Sequence, residues 1–273
     1  MISSTVPASV IVRVKDEARA LERCLEHLRV QTMEPEIIVV DSGSTDGSLA
    51  IARRWSDRVI EIAPEDFTYG RALNIGARRA AAEFHFVISA HCYTERPDWI
   101  ERSLRHYARP DVAATNGVQS FADGRPVVEP FFQDAAHARS NPFWGISNHA
   151  SSWRRSVWER FPFSEEIDYG EEREWALRVL DAGWKIVFDP ELWVDLSHRW
   201  RGGARELFRR ERRAARAVCS FAELPPYRRR DLAKEWWSEI PPDGHSALFH
   251  RLNYVRIAGL AGKYVGAKEA RSS

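Results

Sequence analysis

Ile37–Ile38–Val39–Val40–Asp41–Ser42–Gly43–Ser44–Thr45–Asp46–Gly47–Ser48 is an apolar run that stops at an acid and passes into a turn of small and polar residues. Four consecutive β-branched residues predict a strand buried on both faces. Gly43 and Gly47 supply backbone freedom in the turn, and Asp46 or Ser48 caps the helix that opens at Leu49. Asp41 closes the strand, and open α/β sheets bind ligands at the carboxyl ends of their strands. The nearest cations in sequence, Arg29 and Arg53, are remote from it. A carboxylate, which only accepts hydrogen bonds, suits ribose hydroxyls or a base N–H better than phosphate. Taken alone, Asp41 also reads as a solvated turn acid.

Working outward, Ala8–Ser9–Val10–Ile11–Val12–Arg13–Val14–Lys15–Asp16–Glu17 begins as a strand and ends in charge. Leu21, Cys24, Leu25 and Leu28 then recur at helical spacing. Strand, helix and the strand at Ile37 form a βαβ unit, right-handed by default. A short strand over 58–62, a loop over 63–70, a helix over 71–83 and a strand over 83–89 follow. Pro97–Asp98–Trp99–Ile100 opens another helix. This alternation predicts a mostly parallel sheet flanked by helices, an α/β fold. From Val112 the pattern changes: a strand over 112–120, a turn at Asp123–Gly124–Arg125–Pro126, and a strand running into a helix start within 144–156. A helix over 170–180 closed by Gly183, a strand over 185–188 ended by Asp189–Pro190 and another over 193–198 complete it. No clean linker breaks the chain, which predicts one domain over 1–200 and a helical extension over 201–273 packed on it.

Composition narrows the class. The chain has 273 residues, 44% hydrophobic and 29% charged, as in ordinary globular enzymes. Lys+Arg is 40 against Asp+Glu 39, so the overall charge that nucleic-acid binding demands is missing. Cys24, Cys92 and Cys219 are far apart and odd in number, which predicts a reducing, cytoplasmic compartment. The first seven residues lack the features of a signal peptide, and no apolar run approaches the ~20 residues that span a bilayer.

Set in order, these pieces resemble a family 2 glycosyltransferase of the GT-A fold. They are the charged end of strand one, Val39 to Ser48, Gly70–Arg71–Ala72–Leu73–Asn74–Ile75–Gly76–Ala77, and the strand end Ser89–Ala90–His91. Pro162–Phe163–Ser164–Glu165 with Glu171–Glu172–Arg173–Glu174–Trp175 follows, then Asp189–Pro190 leading to His198. The likeness runs from Ala8 to about Trp200. It implies inverting transfer of a hexosyl or deoxyhexosyl group from a nucleoside diphosphate to an acceptor hydroxyl, as in bacterial-type glycan biosynthesis. An attacking hydroxyl must lose its proton, so a carboxylate has to stand beside it. The family's acid pair falls on Glu171–Glu172, and its second member, here Glu172, is implied as base with Glu171 as the alternative. Glu is one methylene longer than the usual Asp. By themselves the two also read as acids favoured by a helix N-terminus.

The likeness further implies that Arg13, Lys15, Asp41, Ser42, Arg71, Asn74, Ser89 and His91 line the nucleotide-sugar site. Asn148, His149 and Trp153 fall where the acceptor approaches. The largest departure is Ser89–Ala90–His91, where the family carries Asp-x-Asp on Mg2+ or Mn2+. Three readings stay open: His91 with His198 holds a transition metal, His91 meets the diphosphate directly, or the chain is a non-catalytic sugar-nucleotide or glycan-binding module with a degraded metal site. A dinucleotide oxidoreductase would need Gly-x-Gly-x-x-Gly after strand one, which is absent. Arg199 to Arg216 contains eight arginines and two glutamates, the pattern of a basic amphipathic helix on an anionic membrane face near a lipid-linked acceptor, or of a solvated helix. A final helix over 249–264 is expected to pack on the domain or on a second copy in a homodimer.

Overall fold

The computed structural model of the protein describes residues 6–121, 124–196, 203–222 and 254–270. Contacts divide the chain into two compact units, Met1–Glu166 with Glu171–His198, and Ile167–Gly170 with Arg199–Ser273. Residues 167–170 group with the second unit.

In the first unit, β1 (Ser9–Val14), α1 (Ala18–Arg29), β2 (Glu36–Asp41), α2 (Ser48–Trp55), β3 (Arg58–Glu61), α3 (Tyr69–Arg79) and β4 (Phe84–Ser89) realise the predicted alternation. After them come β5 (Cys92–Tyr93), α4 (Trp99–His106), β6 (Val112–Gly117), β7 (Phe131–Gln133), α5 (Ala135–Ser140), β8 (Ala150–Arg154), α6 (Arg155–Arg160), α7 (Glu171–Asp181), β9 (Lys185–Asp189) and β10 (Asp195–Leu196). Eight strands make one sheet in the order β3-β2-β1-β4-β8-β6-β9-β7. The β3-β2-β1-β4 half is parallel. β8 runs antiparallel between β4 and β6, and β7 is antiparallel at the far edge. β5 and β10 form a separate antiparallel pair.

Strand pleating explains why Ile37 to Val40 need no alternation with polar residues. Ile11, Val40 and Val87 enter one buried cluster, while Val10, Val12, Ile37, Val39, Phe86 and Ile88 enter the cluster on the other face. Successive side chains point to opposite faces, and helices cover both. Leu21, Cys24, Leu25 and Leu28 are the buried face of α1, as their spacing predicts.

Two helix bounds differ from expectation for traceable reasons. α3 starts at Tyr69, two residues before the expected start, because the Thr68 hydroxyl caps it by accepting the Arg71 N–H at 3.1 Å. It stops at Arg79 because the next amides are taken by tertiary acceptors: Ala81 N–H by Glu36 at 2.8 Å, and Ala82 N–H by Ser9 Oγ at 3.1 Å.

In the second unit, α8 (Ala204–Phe221) fits the expected arginine-rich helix, and α9 (Tyr254–Glu269) overlaps the helix expected over 249–264; 249–253 lie outside the described residues. The two helices run side by side in the same direction. Gly262 and Gly266 meet the Phe208 and Arg212 carbonyls so closely that a Cβ would stand 2.2 and 2.1 Å from those oxygens. Arg212 pairs with Glu269 at 2.6 Å.

Candidate active site

Sheet register gathers the predicted residues. Val14 pairs with Asp41, and Arg13 pairs with Val40 on one side and Ser89 on the other. Asp41 and Ser89 therefore end β2 and β4, and Arg13 stands one residue before the end of β1 between them, at the carboxyl edge of the sheet.

Asp41 is buried. Its Oδ1 accepts the backbone N–H groups of Gly43 and Ser44, both at 2.9 Å. Its Oδ2 is buried with no hydrogen-bond partner among the described residues. A buried carboxylate oxygen left in that state is costly unless something satisfies it. Gly43 makes the turn possible: its φ is +86°, and a Cβ there would sit 2.7 Å from the Pro64 ring. Ser42 donates to the Val14 carbonyl at 3.2 Å.

The other polar residues of that turn brace the corner after β1 rather than facing a ligand. Asp16 Oδ1 accepts Thr45 N–H at 2.6 Å, and Asp16 N–H goes to Ser44 Oγ at 3.0 Å. Glu17 N–H goes to Ser48 Oγ at 3.0 Å, and Ala18 N–H to Asp46 Oδ2 at 2.9 Å. Lys15 is exposed on this corner.

Four residues from four segments are joined by polar contacts, with the Tyr69 ring beside them. The Arg13 guanidinium meets Glu171 Oε1 at 3.5 Å and lies 5.1 Å from the Tyr69 ring centre. Asn148 Nδ2 donates to the same Oε1 at 2.7 Å. Ser89 Oγ donates to the Asn148 carbonyl at 3.3 Å. α7 is fixed in this register by aromatic packing: Phe163 lies between Trp153 and Trp175, with centroids 5.1 and 5.3 Å away. The Trp175 Nε1–H donates to the Phe161 carbonyl at 2.6 Å. Glu171 and Glu172 thus open α7 at the carboxyl edge, where the helix dipole favours negative charge.

The pair is asymmetric. Glu171 is buried and Glu172 half-buried. Burial, with the adjacent Glu172 carboxylate, pushes Glu171 up to about 8 against the opposing pull of Arg13. A folded-state value above the unfolded one means that the folded chain holds more protons between the two. The stability Glu171 contributes is complete below the unfolded carboxyl range and is lost as pH rises toward 8. Glu171→Gln removes that dependence. The melting temperature of the variant relative to the parent should therefore climb between pH 4.5 and 8 and level off above; a flat difference would refute it.

Other predicted residues are placed differently. Asn74 is buried with its whole amide engaged: Nδ2 donates to the Phe163 carbonyl at 2.8 Å and Glu165 Oε1 at 2.9 Å, while Oδ1 accepts Trp158 Nε1–H at 2.9 Å and Phe163 N–H at 3.1 Å. It ties α3 to the loop before α7 instead of reaching a nucleotide. Trp153 is fully buried in the core rather than open to an acceptor. Arg71 is half-buried and pairs with Asp66 at 3.4 Å. His149 is exposed, its ring centre 5.8 Å from that of His91. His91 Nδ1 lies 3.0 Å from a Glu17 carboxylate oxygen. Glu17 and Tyr69 carried no sequence signal of their own.

As a cation site, the strand end is poor. Ser89 Oγ already donates to a carbonyl, and His91 is engaged by Glu17. Among the described residues no three His, Cys, Asp or Glu side chains gather as metal ligands; His198 lies outside them. The described residues of the strand end thus offer no ready-made set of ligands for a divalent cation.

Residues 9–160 match the family described as Glycosyl transferase family 2. The glycosyltransferase AglE of Haloferax volcanii is 27% identical over 201 residues, 68% of this chain and 66% of that protein. The O-antigen chain rhamnosyltransferase WbaN of Salmonella anatum is 30% identical over 194 residues, 62% of this chain and 59% of its own length. The chain thus spans about two thirds or less of the curated relatives it matches. Among solved structures, the mannosyltransferase PcManGT from Pyrobaculum calidifontis, in complex with GDP-Man and Mn2+, superposes with a TM-score of 0.62 at 19% identity, over 99% of this chain and 75% of that one. Glucosyl-3-phosphoglycerate synthase from Mycobacterium tuberculosis, in complex with Mn2+, UDP and glucosyl-3-phosphoglycerate, gives 0.58 at 17% identity, over 80% and 81%. At such identities the likeness shows the fold, GT-A.

Proposed function

This chain belongs to glycosyl transferase family 2, and from that premise we propose that it moves a hexosyl or deoxyhexosyl group from a nucleoside diphosphate to an acceptor hydroxyl with inversion. The observation that carries the reading is the acid pair at the start of α7, linked through Arg13 to the strand beside Asp41's unsatisfied oxygen.

Each residue has a distinct task in that reaction. Asp41 Oδ2 accepts from a ribose hydroxyl or base N–H. Arg13, Lys15 and Arg71 add positive charge along the donor side, and His91 meets the diphosphate. A general base must be ionised before it can take a proton. Burial and the adjacent Glu172 carboxylate push the Glu171 carboxyl up, and its Oε1 already holds Arg13 and Asn148. Glu172, less buried beside it, is the base. Asn148 and His149 flank the acceptor. A divalent cation is compatible with the fold, since two solved neighbours are complexed with Mn2+; here it would be carried by the donor's diphosphate.

Titrating the chain with a panel of nucleoside diphosphates tests the reading. One of them should bind, with Asp41→Asn weakening it about tenfold, the value of one charge-assisted hydrogen bond. No binding by any of them would refute it.

The acceptor is proposed to be lipid-linked on the strength of α8. Arg205, Arg209 and Arg216 are exposed there and fall within about 40° of arc at 3.6 residues per turn. No described helix is long and apolar enough to cross a membrane. A basic helix face of this kind binds anionic headgroups electrostatically. The chain should float with vesicles containing phosphatidylglycerol and not with phosphatidylcholine alone. Reversing the three arginines to glutamate should abolish flotation; unchanged flotation would exclude this face.

A further inference from the structure

The corner that joins β1 to α1 is held more firmly than a surface turn requires. Asp16 has φ +53°, left-handed and unusual for a residue other than glycine. Such a conformation persists where its surroundings impose it. Ser44, Thr45, Asp46 and Ser48 impose it through the bonds described above. What they fix in space is Glu17.

Glu17 stands at the N-cap of α1, where a short polar side chain would ordinarily bond the helix amides, yet its side chain makes no capping bond. The carboxylate turns to His91 instead, with its oxygens 3.0 and 3.2 Å from Nδ1. The two side chains are 32% and 21% exposed, sheltered enough for the contact to hold a geometry. His91 sits in the two-residue link between β4 and β5, outside any ladder or helix. A carboxylate on one imidazole nitrogen sets the ring's orientation and places the other nitrogen on the far side.

We infer that Glu17 is a positioning residue whose carboxylate holds the His91 ring so that Nε2 faces the donor's diphosphate. The inference rests on the proposed contact between His91 and the diphosphate. A ring held through Nδ1 presents Nε2 as the atom that meets a phosphate oxygen. The small-residue turn after β2 thereby acts twice: it forms the loop at Asp41, and it braces the residue that aims His91.

A double-mutant cycle on the full chain tests this, reading the donor KM and kcat separately. Glu17→Ala should raise the donor KM about tenfold with kcat within threefold, and His91→Ala should do the same. The double variant should be no worse than His91→Ala alone, because coupled residues are not additive. Glu17→Gln, whose amide oxygen still accepts from Nδ1, should restore the KM to within threefold. If Glu17→Ala is harmless, or costs as much again in the His91→Ala background, the inference fails. If His91→Ala itself leaves the donor KM unchanged, the underlying reading of His91 fails.

Discussion

Replacing Glu172 with glutamine should lower kcat about a thousandfold while leaving donor affinity within threefold, since a positioned general base contributes roughly 10²–10⁴. A thousandfold is about 4 kcal/mol of transition-state stabilisation. Glutamine keeps the size and can still accept a hydrogen bond, but it cannot take the acceptor's proton. The structure favours Glu172 over its neighbour on two grounds. Glu171 Oε1 already receives the Asn148 amide at 2.7 Å and the Arg13 guanidinium at 3.5 Å. Burial and the neighbouring carboxylate also push Glu171 up, which favours its protonated form. Glu171→Gln should therefore act on the pH dependence of stability, with a smaller loss of turnover. Steady-state rates at saturating donor for both variants check the assignment, and a larger loss in Glu171→Gln would reverse it.

Asn74→Ala should cost about 3–5 kcal/mol of stability, because truncation strands buried donors and acceptors at about 1–3 kcal/mol each. The groups left behind are Trp158 Nε1–H and both backbone groups of Phe163. For a domain of this size that is a fall in melting temperature of about 10 °C or more. Donor affinity of the folded protein should stay within threefold, since the amide is fully engaged inside the domain. Thermal unfolding with and without nucleotide separates the roles. A normal melting temperature with weakened donor binding would return Asn74 to the nucleotide site.

Asn74 also shows what the sequence could and could not convey. Its place in Gly70–Arg71–Ala72–Leu73–Asn74 marked it for attention, and attention was due, but its partners lie 84 to 91 residues away. The β1–α1–β2 unit and Asp41 at its carboxyl end were legible because strand burial and turn chemistry act over a few residues. Glu171–Glu172 were legible as a pair, whereas the bonds to Arg13 and Asn148 arise only when β1 and the chain before β8 meet the start of α7. Glu17 looked like one more charge at a strand exit; only folding puts His91 beside it. Trp153 misled because a tryptophan near a sugar site and one in a core look alike in sequence, and here the residue is fully buried. β7 and α5, of three and six residues, are too short to show a period.

The central claim is a division of labour between two carboxylates on one edge of the sheet, and calorimetric titration of a single nucleotide-sugar donor into three proteins, each then assayed for turnover, tests it directly. Asp41→Asn should weaken donor binding about tenfold, while Glu172→Gln should bind the donor as the parent does and fail to turn it over. Full turnover in Glu172→Gln, or donor binding untouched in Asp41→Asn, would contradict it.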